Sequence, residues 1–174
     1  MKKRSKLIVL ILLLGVLFYC KDDIYNYTYS LINSGSSSSN MEDIADYNGN
    51  NYVIVNDNNP YFKEEEYTTD SFEKYSELDS LGRCGVAYAN ISKELMPTEK
   101  RGSIGSIKPS GWHTIKYDHI DGKYLYNRCH LIGYQLTGEN ANEKNLITCT
   151  RSMNTKGMLQ FENMVTKYIK DKYL

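Results

Sequence analysis

The stretch YLYNRCHLIGYQLTGENANEKNLITCTRSMNTKGMLQFENM, residues 124–164, decides the fold of this 174-residue chain. Its first part and the preceding HTIKYDHI predict two strands joined by the turn pair Asp121-Gly122. A polar loop at 137–145 and the β-prone NLITCT follow. Beyond Gly157, apolar residues at intervals of three and four predict a helix with one apolar face, formed by Met158, Phe161, Val165 and Tyr168/Ile169. The order strand, strand, loop, helix indicates an α+β domain.

The N-terminus has the composition of an export signal. Four basic residues within 1–6 precede an apolar run from Leu7 to Cys20. This pattern predicts a signal peptide or membrane anchor over 1–20, with the remainder of the chain outside the cell or at its surface. The polar segment 21–50, which includes SGSSSSN, predicts a flexible linker.

Charge divides the remaining sequence into two parts. Residues 41–80 carry 11 acidic and 2 basic residues, a net of −9, whereas residues 81–174 carry 14 basic and 8 acidic residues, a net of +6. We expect an acidic N-terminal extension at 51–80, with a β-prone centre at Tyr52–Val55, and the main domain at 81–174. The basic excess fits a polyanionic partner, but it fits ordinary surface chemistry equally well.

Three cysteines lie in the body of the chain: Cys84, Cys129 and Cys149. An extracellular location permits disulfides, and an odd number leaves at least one cysteine free or paired elsewhere. Spacing does not choose among the pairs. The absence of a C-x-x-C motif in the sequence argues against a structural zinc site.

His130 lies two residues after Arg128 on the predicted hairpin. A histidine with a pKa near neutral can accept a proton from water, and an arginine can hold a phosphate through two parallel hydrogen bonds. Together they form two parts of a site for phosphodiester hydrolysis. Taken singly, His130 fits a packed or surface histidine as well.

Asn145, Asn154 and Glu162 follow His130 and are spaced 9 and 8 residues apart. Mg²⁺ prefers oxygen ligands and often uses only one or two protein groups, so an asparagine oxygen is a suitable ligand. A helical carboxylate can orient metal-bound water. Each residue also has a simpler interpretation, because Asn is frequent in turns and Glu on solvated helix faces.

These residues, taken together with two upstream segments, resemble the pattern of a known protein family, although no single residue does. NRCH at 127–130, the spaced Asn, Asn and Glu, LDSLGRCGVA at 78–87 and RGSIGSIKPSGW at 101–112 resemble the DNA/RNA non-specific endonucleases of the ββα-metal (His-Me finger) type, which include the membrane-attached and secreted DNases of streptococci. The resemblance extends from about Leu78 to the end of the chain. It implies a ββα-metal nuclease core with a mixed or antiparallel sheet and a metal-site helix.

The same resemblance implies residue roles. His130 would be the general base, Asn154 the main metal ligand, Glu162 the support of the metal hydration shell, and Asn145 a group that orients His130 or the water. Arg128 and Arg101 would contact phosphate and stabilise transition-state charge. The implied cofactor is Mg²⁺, for which Mn²⁺ can substitute, and the implied substrate is DNA or RNA, bound through its backbone with weak sequence preference. No protein partner is indicated.

The sequence departs from the family pattern in three places. Asn127 replaces an Asp of the Asp-Arg-Gly-His signature, and Cys129 replaces its Gly, which opens a pairing with Cys84 or Cys149. The chain also stops directly after the metal helix, where the family usually continues with further strands. Either the domain is shortened at its C-terminus or the region before Leu81 supplies the strands. The alternative to an enzyme is therefore an inactive, nuclease-like surface protein that binds nucleic acid.

Overall fold

The computed structural model describes residues 19–21 and 44–173. Most of the predicted leader and linker lies outside the described residues. Within those two ranges, no helix is both long and apolar enough to span a membrane. The chain forms two compact units, Met1–Asp46 with Ile54–Glu66, and Tyr47–Val53 with Tyr67–Leu174.

The described part of the first unit beyond residue 53 contains two short 3-10 turns, Asn56–Asn58 and Glu64–Glu66. The β-prone segment Tyr52–Val55 forms no strand, which corrects the expectation of extended pairing there. Asn56, Asp57 and Asn58 all adopt positive φ angles, between 49° and 60°. Such left-handed conformations, tolerated best by Asn and Asp, turn the chain before a strand can continue.

The first ladder pairs β1 (Phe72–Tyr75) with β2 (Ala87–Asn90) in antiparallel register, with Phe72 opposite Asn90. In the connecting turn, the Asp79 carboxylate accepts hydrogen bonds from the backbone N–H of Leu81 and of Arg83, both at 2.9 Å. The second strand, β2, therefore lies at the start of the expected main domain. Its partner comes from the segment before residue 81, so the ladder joins both sides of the expected domain boundary.

The second ladder pairs β3 (Tyr126–His130) with β4 (Leu146–Thr150), with His130 opposite Leu146. A disulfide between Cys129 and Cys149 links the two strands across a Cα–Cα distance of 6.0 Å. Among the described residues, Cys20 and Cys84 are the free cysteines. Cys129, Leu146 and Cys149 form the buried centre of this ladder. The two small antiparallel sheets and the helix after them confirm the α+β class.

The hairpin predicted on either side of Asp121-Gly122 is only partly present. Its first arm pairs through a single bridge, Lys116 with Tyr124, and the ladder partner of β3 is β4 instead. Residues after His130 leave the strand, and Tyr134–Thr137 form a short helix, α1, where an extended strand was expected. The reason is local, because Asn145 binds both backbone groups of Ile132 and ends the strand there.

A π-helical turn, Met153–Met158, leads directly into α2, Leu159–Tyr173. The predicted helix is confirmed, but its predicted apolar face is buried only in part. Phe161, Val165 and Tyr168 are exposed, whereas Thr166 and Ile169 are buried and Glu162 is half-buried. The helix packs against α1, and Glu162 lies over Gly133. Apolar periodicity alone therefore does not identify the buried face of this helix.

Candidate active site

A half-buried cavity of about 280 Å³ lies where the end of β3, α1 and the start of α2 meet. Five of the six residues that the sequence singles out line it: Arg101, Arg128, His130, Asn154 and Glu162. Tyr134, Gln135, Thr155 and Leu159 complete the lining. Asn145 does not line this cavity and acts on it only through the backbone.

His130 is the last residue of β3 and is buried, with 6% of its surface exposed. Its Nε2 donates to the backbone carbonyl of Asn140 at 2.8 Å, which leaves Nδ1 as the basic nitrogen. Burial lowers the pKa of His130 below its ordinary value, and the charge of Arg101 lowers it further, while the hydrogen bond to Asn140 acts in the opposite direction. A neutral imidazole that can accept one proton is therefore the resting form near neutral pH.

Asn145 has no exposed surface and holds the chain just beyond His130. Its Oδ1 accepts from the N–H of Ile132 at 2.8 Å, and its Nδ2 donates to the carbonyl of Ile132 at 3.0 Å. Its own carbonyl accepts from the N–H of Leu131 at 2.9 Å. Because its side-chain amide is used on both sides by backbone, Asn145 fixes the segment directly after His130.

Asn154 lies in the π-helical turn, which delivers it to the cavity ahead of α2. Its Nδ2 donates to Oδ1 of Asn127 at 3.3 Å. This bond orients the amide, and among the described residues no hydrogen bond uses the Oδ1 of Asn154. The asparagine at position 127 thus supplies an acceptor to its neighbour.

Glu162 enters the cavity from the first turn of α2. Burial raises the pKa of this carboxyl above its ordinary value, whereas a hydrogen bond from Gln135 and the charge of Arg101 lower it. The carboxyl lies over Gly133, where an added Cβ would be 2.6 Å from its Cδ and Oε2. A half-buried carboxylate with one weak neutral donor, at 3.5 Å, is a favourable place for a cation.

The two arginines differ in how they are held. Arg128 donates through Nε to the carbonyl of Ile107 and through Nη2 to that of Gly105 at 3.0 Å, and it stacks 3.8 Å from the centroid of Trp112. Arg101 is exposed and makes no hydrogen bond or ion pair with another described residue. Arg128 therefore anchors the loop before it, while Arg101 offers all its donors to an anion.

Several residues that shape the site are not indicated by the sequence. Asn140, expected to form only loop, accepts from His130 through its carbonyl and donates from its side chain to Ser103 at 3.4 Å. Tyr134 donates to the carbonyl of Glu99 at 2.8 Å. Asn140 and Tyr134 therefore hold the loop that carries Arg101 from its two sides. A backbone acceptor leaves no residue-type signal, but Gly133 inside the apolar run LIGYQL does indicate a close approach.

The donor set fits a hard divalent cation. Among the described residues, no group of three or more His, Cys, Asp or Glu side chains could hold a metal ion. A cation here would use the Oδ1 of Asn154 and water, which are oxygen ligands that Mg²⁺ accepts, and the carboxylate of Glu162 in the same cavity would accept hydrogen bonds from that water. The cavity thus combines a neutral base, a free guanidinium and a place for a cation.

Comparison with solved structures gives related folds. NucA from Streptococcus agalactiae with a magnesium ion bound matches with a TM-score of 0.52 and 19% identity, over 59% of this chain and 54% of NucA. The same protein without metal matches with a TM-score of 0.50 and 22% identity, over 60% and 53% of the two chains. The Sda1 nuclease with bound zinc is 28% identical, with a TM-score of 0.46 over 57% and 56%. This chain spans about half the length of these structures.

No curated protein matches the sequence. The family model described as DNA/RNA non-specific endonuclease matches residues 60–173, which is more than half of the chain. That match begins before the domain boundary expected at residue 81. It confirms the resemblance drawn from the motif, and the chain belongs to the DNA/RNA non-specific endonuclease family.

Proposed function

We propose that this chain is an exported, divalent-metal-dependent endonuclease that hydrolyses phosphodiester bonds of DNA or RNA. The observation that carries the proposal is the convergence of His130, Arg101, Asn154 and Glu162 on one half-buried cavity. Family membership and the fold shared with NucA support it. In this proposal β3, β4 and α2 are the ββα-metal core.

His130 is the general base. Because Nε2 donates to the carbonyl of Asn140, Nδ1 accepts a proton from the attacking water. The water oxygen forms a bond to phosphorus while the bond from phosphorus to the leaving sugar oxygen breaks; the sugar oxygen keeps the electron pair of that bond and takes up a proton from solvent. Asn145 holds the residues after His130 so that the imidazole keeps its position.

Arginine side chains stabilise the negative charge of the phosphate. Arg101, whose donors are free among the described residues, contacts the scissile or a neighbouring phosphate and stabilises the charge that builds up on its oxygens. Arg128 lines the same cavity and adds positive charge, while its two backbone hydrogen bonds keep the 105–107 loop in place.

Asn154 is the main protein ligand of the metal, and Glu162 supports its hydration shell. The hydrogen bond that Nδ2 of Asn154 donates to Oδ1 of Asn127 keeps the ligand oxygen turned away from Asn127. When bound, Mg²⁺ or Mn²⁺ supplies Lewis-acid stabilisation of the phosphate oxygens and of the leaving group. The magnesium ion bound to NucA from Streptococcus agalactiae supports this choice.

The proposal of export rests on the predicted leader at 1–20 and the predicted linker at 21–50. They would place the domain at the outer face of the membrane or outside the cell. The Cys129–Cys149 disulfide supports an oxidising location, because stable disulfides are rare in the cytosol. We propose that the acidic segment at 51–80 is an extension that contributes β1 to the catalytic domain at 81–174.

The test of the enzyme is cleavage of plasmid DNA by the full chain with Mg²⁺, beside His130→Ala. Removing a general base lowers the rate about 10²- to 10⁴-fold. His119→Ala is the matched control, because His119 is exposed and does not line the cavity. DNA bound by the wild type without cleavage would favour the alternative, an inactive nucleic-acid-binding surface protein.

The metal ligand has its own test. Asn154→Ala should raise the Mg²⁺ concentration needed for half-maximal cleavage, and chelation should abolish activity of the wild type. Asn142→Ala is the control, because the side chain of Asn142 accepts from the N–H of Lys144 within its own loop and does not line the cavity. Equal Mg²⁺ dependence in the wild type and in Asn154→Ala would show that another residue is the main metal ligand.

A further inference from the structure

A second groove, open and about 530 Å³ in volume, adjoins the catalytic cavity. The two share Arg101, Arg128 and Asn154 in their linings. The remaining walls of the groove include the rings of Trp112, Tyr124 and Tyr126. A chain whose phosphate lay in the cavity would therefore have aromatic surface within reach of its next residue.

Each of the three rings is held by a neighbour. Arg128 lies 3.8 Å from the centroid of Trp112, and Lys116 lies 4.7 Å from that of Tyr124. His113 and Tyr126 have centroids 4.5 Å apart. Rings already fixed in position lose little freedom when a ligand binds, which favours recognition.

The charged side chains that line the groove are all basic. Arg101, Arg128 and Arg151 line it, and no acidic side chain does. Arg151 is paired with Asp121 at 2.9 Å, yet its Nε is buried without a hydrogen-bond partner. Positive charge beside flat aromatic surface is the composition that binds single-stranded nucleic acid.

We propose that this groove binds unpaired bases, so that the preferred substrate is single-stranded nucleic acid. This proposal rests on the proposed function and names the substrate form that the same site takes. A base offers its face to an aromatic ring only when it is not stacked inside a duplex. Arg101 and Arg128 would hold the connecting phosphates while the rings of the groove hold the bases.

Tyr124 is the residue to change, because it is 44% exposed and lies at the groove. Tyr117 is the matched control, since it is also 44% exposed, lies across the same turn and contacts His119 instead of the groove. Tyr124→Leu, Tyr124→Phe and Tyr117→Leu would be made in the full chain carrying His130→Ala. Fluorescence anisotropy with Mg²⁺ would then measure binding of labelled oligothymidylate and of an abasic oligonucleotide of equal length.

We expect Tyr124→Leu to weaken oligothymidylate binding about 10-fold, the size of one lost stacking contact, and to leave abasic binding unchanged. Tyr124→Phe and Tyr117→Leu should bind both ligands like the parent. Unchanged oligothymidylate binding in Tyr124→Leu would overturn the proposal, as would equal weakening for both ligands. If Tyr124→Leu fails to fold, loss of oligothymidylate binding in Tyr124→Phe would overturn it.

The failure of this inference differs from the failure of the proposed function. Base binding is refuted, and the nuclease proposal stands, if the wild-type chain cuts DNA but the His130→Ala parent binds abasic and base-carrying strands equally. A chain that binds oligothymidylate through Tyr124 without cutting any nucleic acid supports base binding and refutes the enzyme.

Discussion

The two ladders of this molecule are alike in pairing but differ in burial. In β1–β2, four residues pair with four and none of the eight is buried. In β3–β4, five residues pair with five; Cys129, His130, Leu146 and Cys149 are buried, and a disulfide joins the strands. Backbone pairing produces both ladders. Burial, a covalent link and side-chain clamps distinguish the ladder that holds a site.

The difference arises from the connection between the two strands of each ladder. After β1 the connection, residues 76–86, passes through a turn in which the Asp79 carboxylate binds two backbone N–H groups. After β3 the connection, residues 131–145, makes α1 and a loop, returns through Asn145 and covers His130. The second connection supplies acceptors and packing at the buried end of its ladder, whereas the first supplies no residue to the cavity around His130.

Substitution of glycine tests this contrast most strongly. Gly133→Ala would put a Cβ 2.6 Å from the Glu162 carboxyl, although φ −59° and ψ 141° at this position suit alanine. We expect the carboxyl to move and cleavage to fall about 100-fold, because misplacement by about 1 Å has that cost. Steady-state cleavage of plasmid DNA by the variant measures the loss.

Gly85→Ala is the matched control beside the other ladder, where a Cβ would lie 2.9 Å from Cβ of Ser76. It should lower the free energy of unfolding by about 1–3 kcal/mol, the usual cost of overpacking, and leave the cleavage rate per folded molecule unchanged. Equal losses of activity in both variants would mean that the two ladders do not differ in function.

Removal of the disulfide is the second test. The joint change Cys129→Ala and Cys149→Ala removes a link between residues 20 positions apart. The free energy of unfolding should fall by about 3 kcal/mol, measured by urea denaturation. Cys84→Ser, which changes a free cysteine and keeps a donor for the Glu143 and Leu146 carbonyls, should have a much smaller effect. Insensitivity of the wild type to reductant would contradict a structural role.

The sequence predicts the elements that hold the site better than it predicts their surroundings. The strand before His130, the NLITCT strand and the helix are all expected from residue type and spacing. The partner of β3 is not, because it depends on how Asn145 closes a loop against Ile132. The inward face of α2 is predicted only in part, since Ile169 is buried as expected but shares that side of the helix with buried Thr166, while Phe161 and Tyr168 are exposed.

The candidate site shows the same division. His130, Asn154 and Glu162 are found from a motif and its spacing together with the family resemblance, and Arg101 from the resemblance alone; the structure brings all four to one cavity. The carbonyl of Asn140 and the aromatic groove carry no such signature. They depend on backbone direction and on residues far apart in the chain, such as Trp112 and Arg128, which stack at 3.8 Å.

His130, at the buried end of β3, should also have a different pKa from an exposed histidine. Burial and Arg101 lower the pKa of His130, so the neutral base persists to more acidic pH. The acidic limb of kcat/KM should therefore lie below about pH 6.5, the usual value for histidine. Arg101→Gln removes a positive neighbour and should move this limb to higher pH by less than about one unit. A limb that moves to lower pH would contradict the electrostatic argument.

The smallest expected effect lies in the β1–β2 ladder. Phe72 and Tyr88 meet edge to face with centroids 5.2 Å apart, and Lys74 lies 5.0 Å from the Phe72 ring. Phe72→Leu keeps an apolar side chain but removes the ring, so the free energy of unfolding should fall by about 1 kcal/mol. Thermal denaturation measures this change, and the cleavage rate should equal that of the wild type. Because β1–β2 has no residue in the catalytic cavity, a lower rate in this variant would show that the exposed ladder supports the site after all.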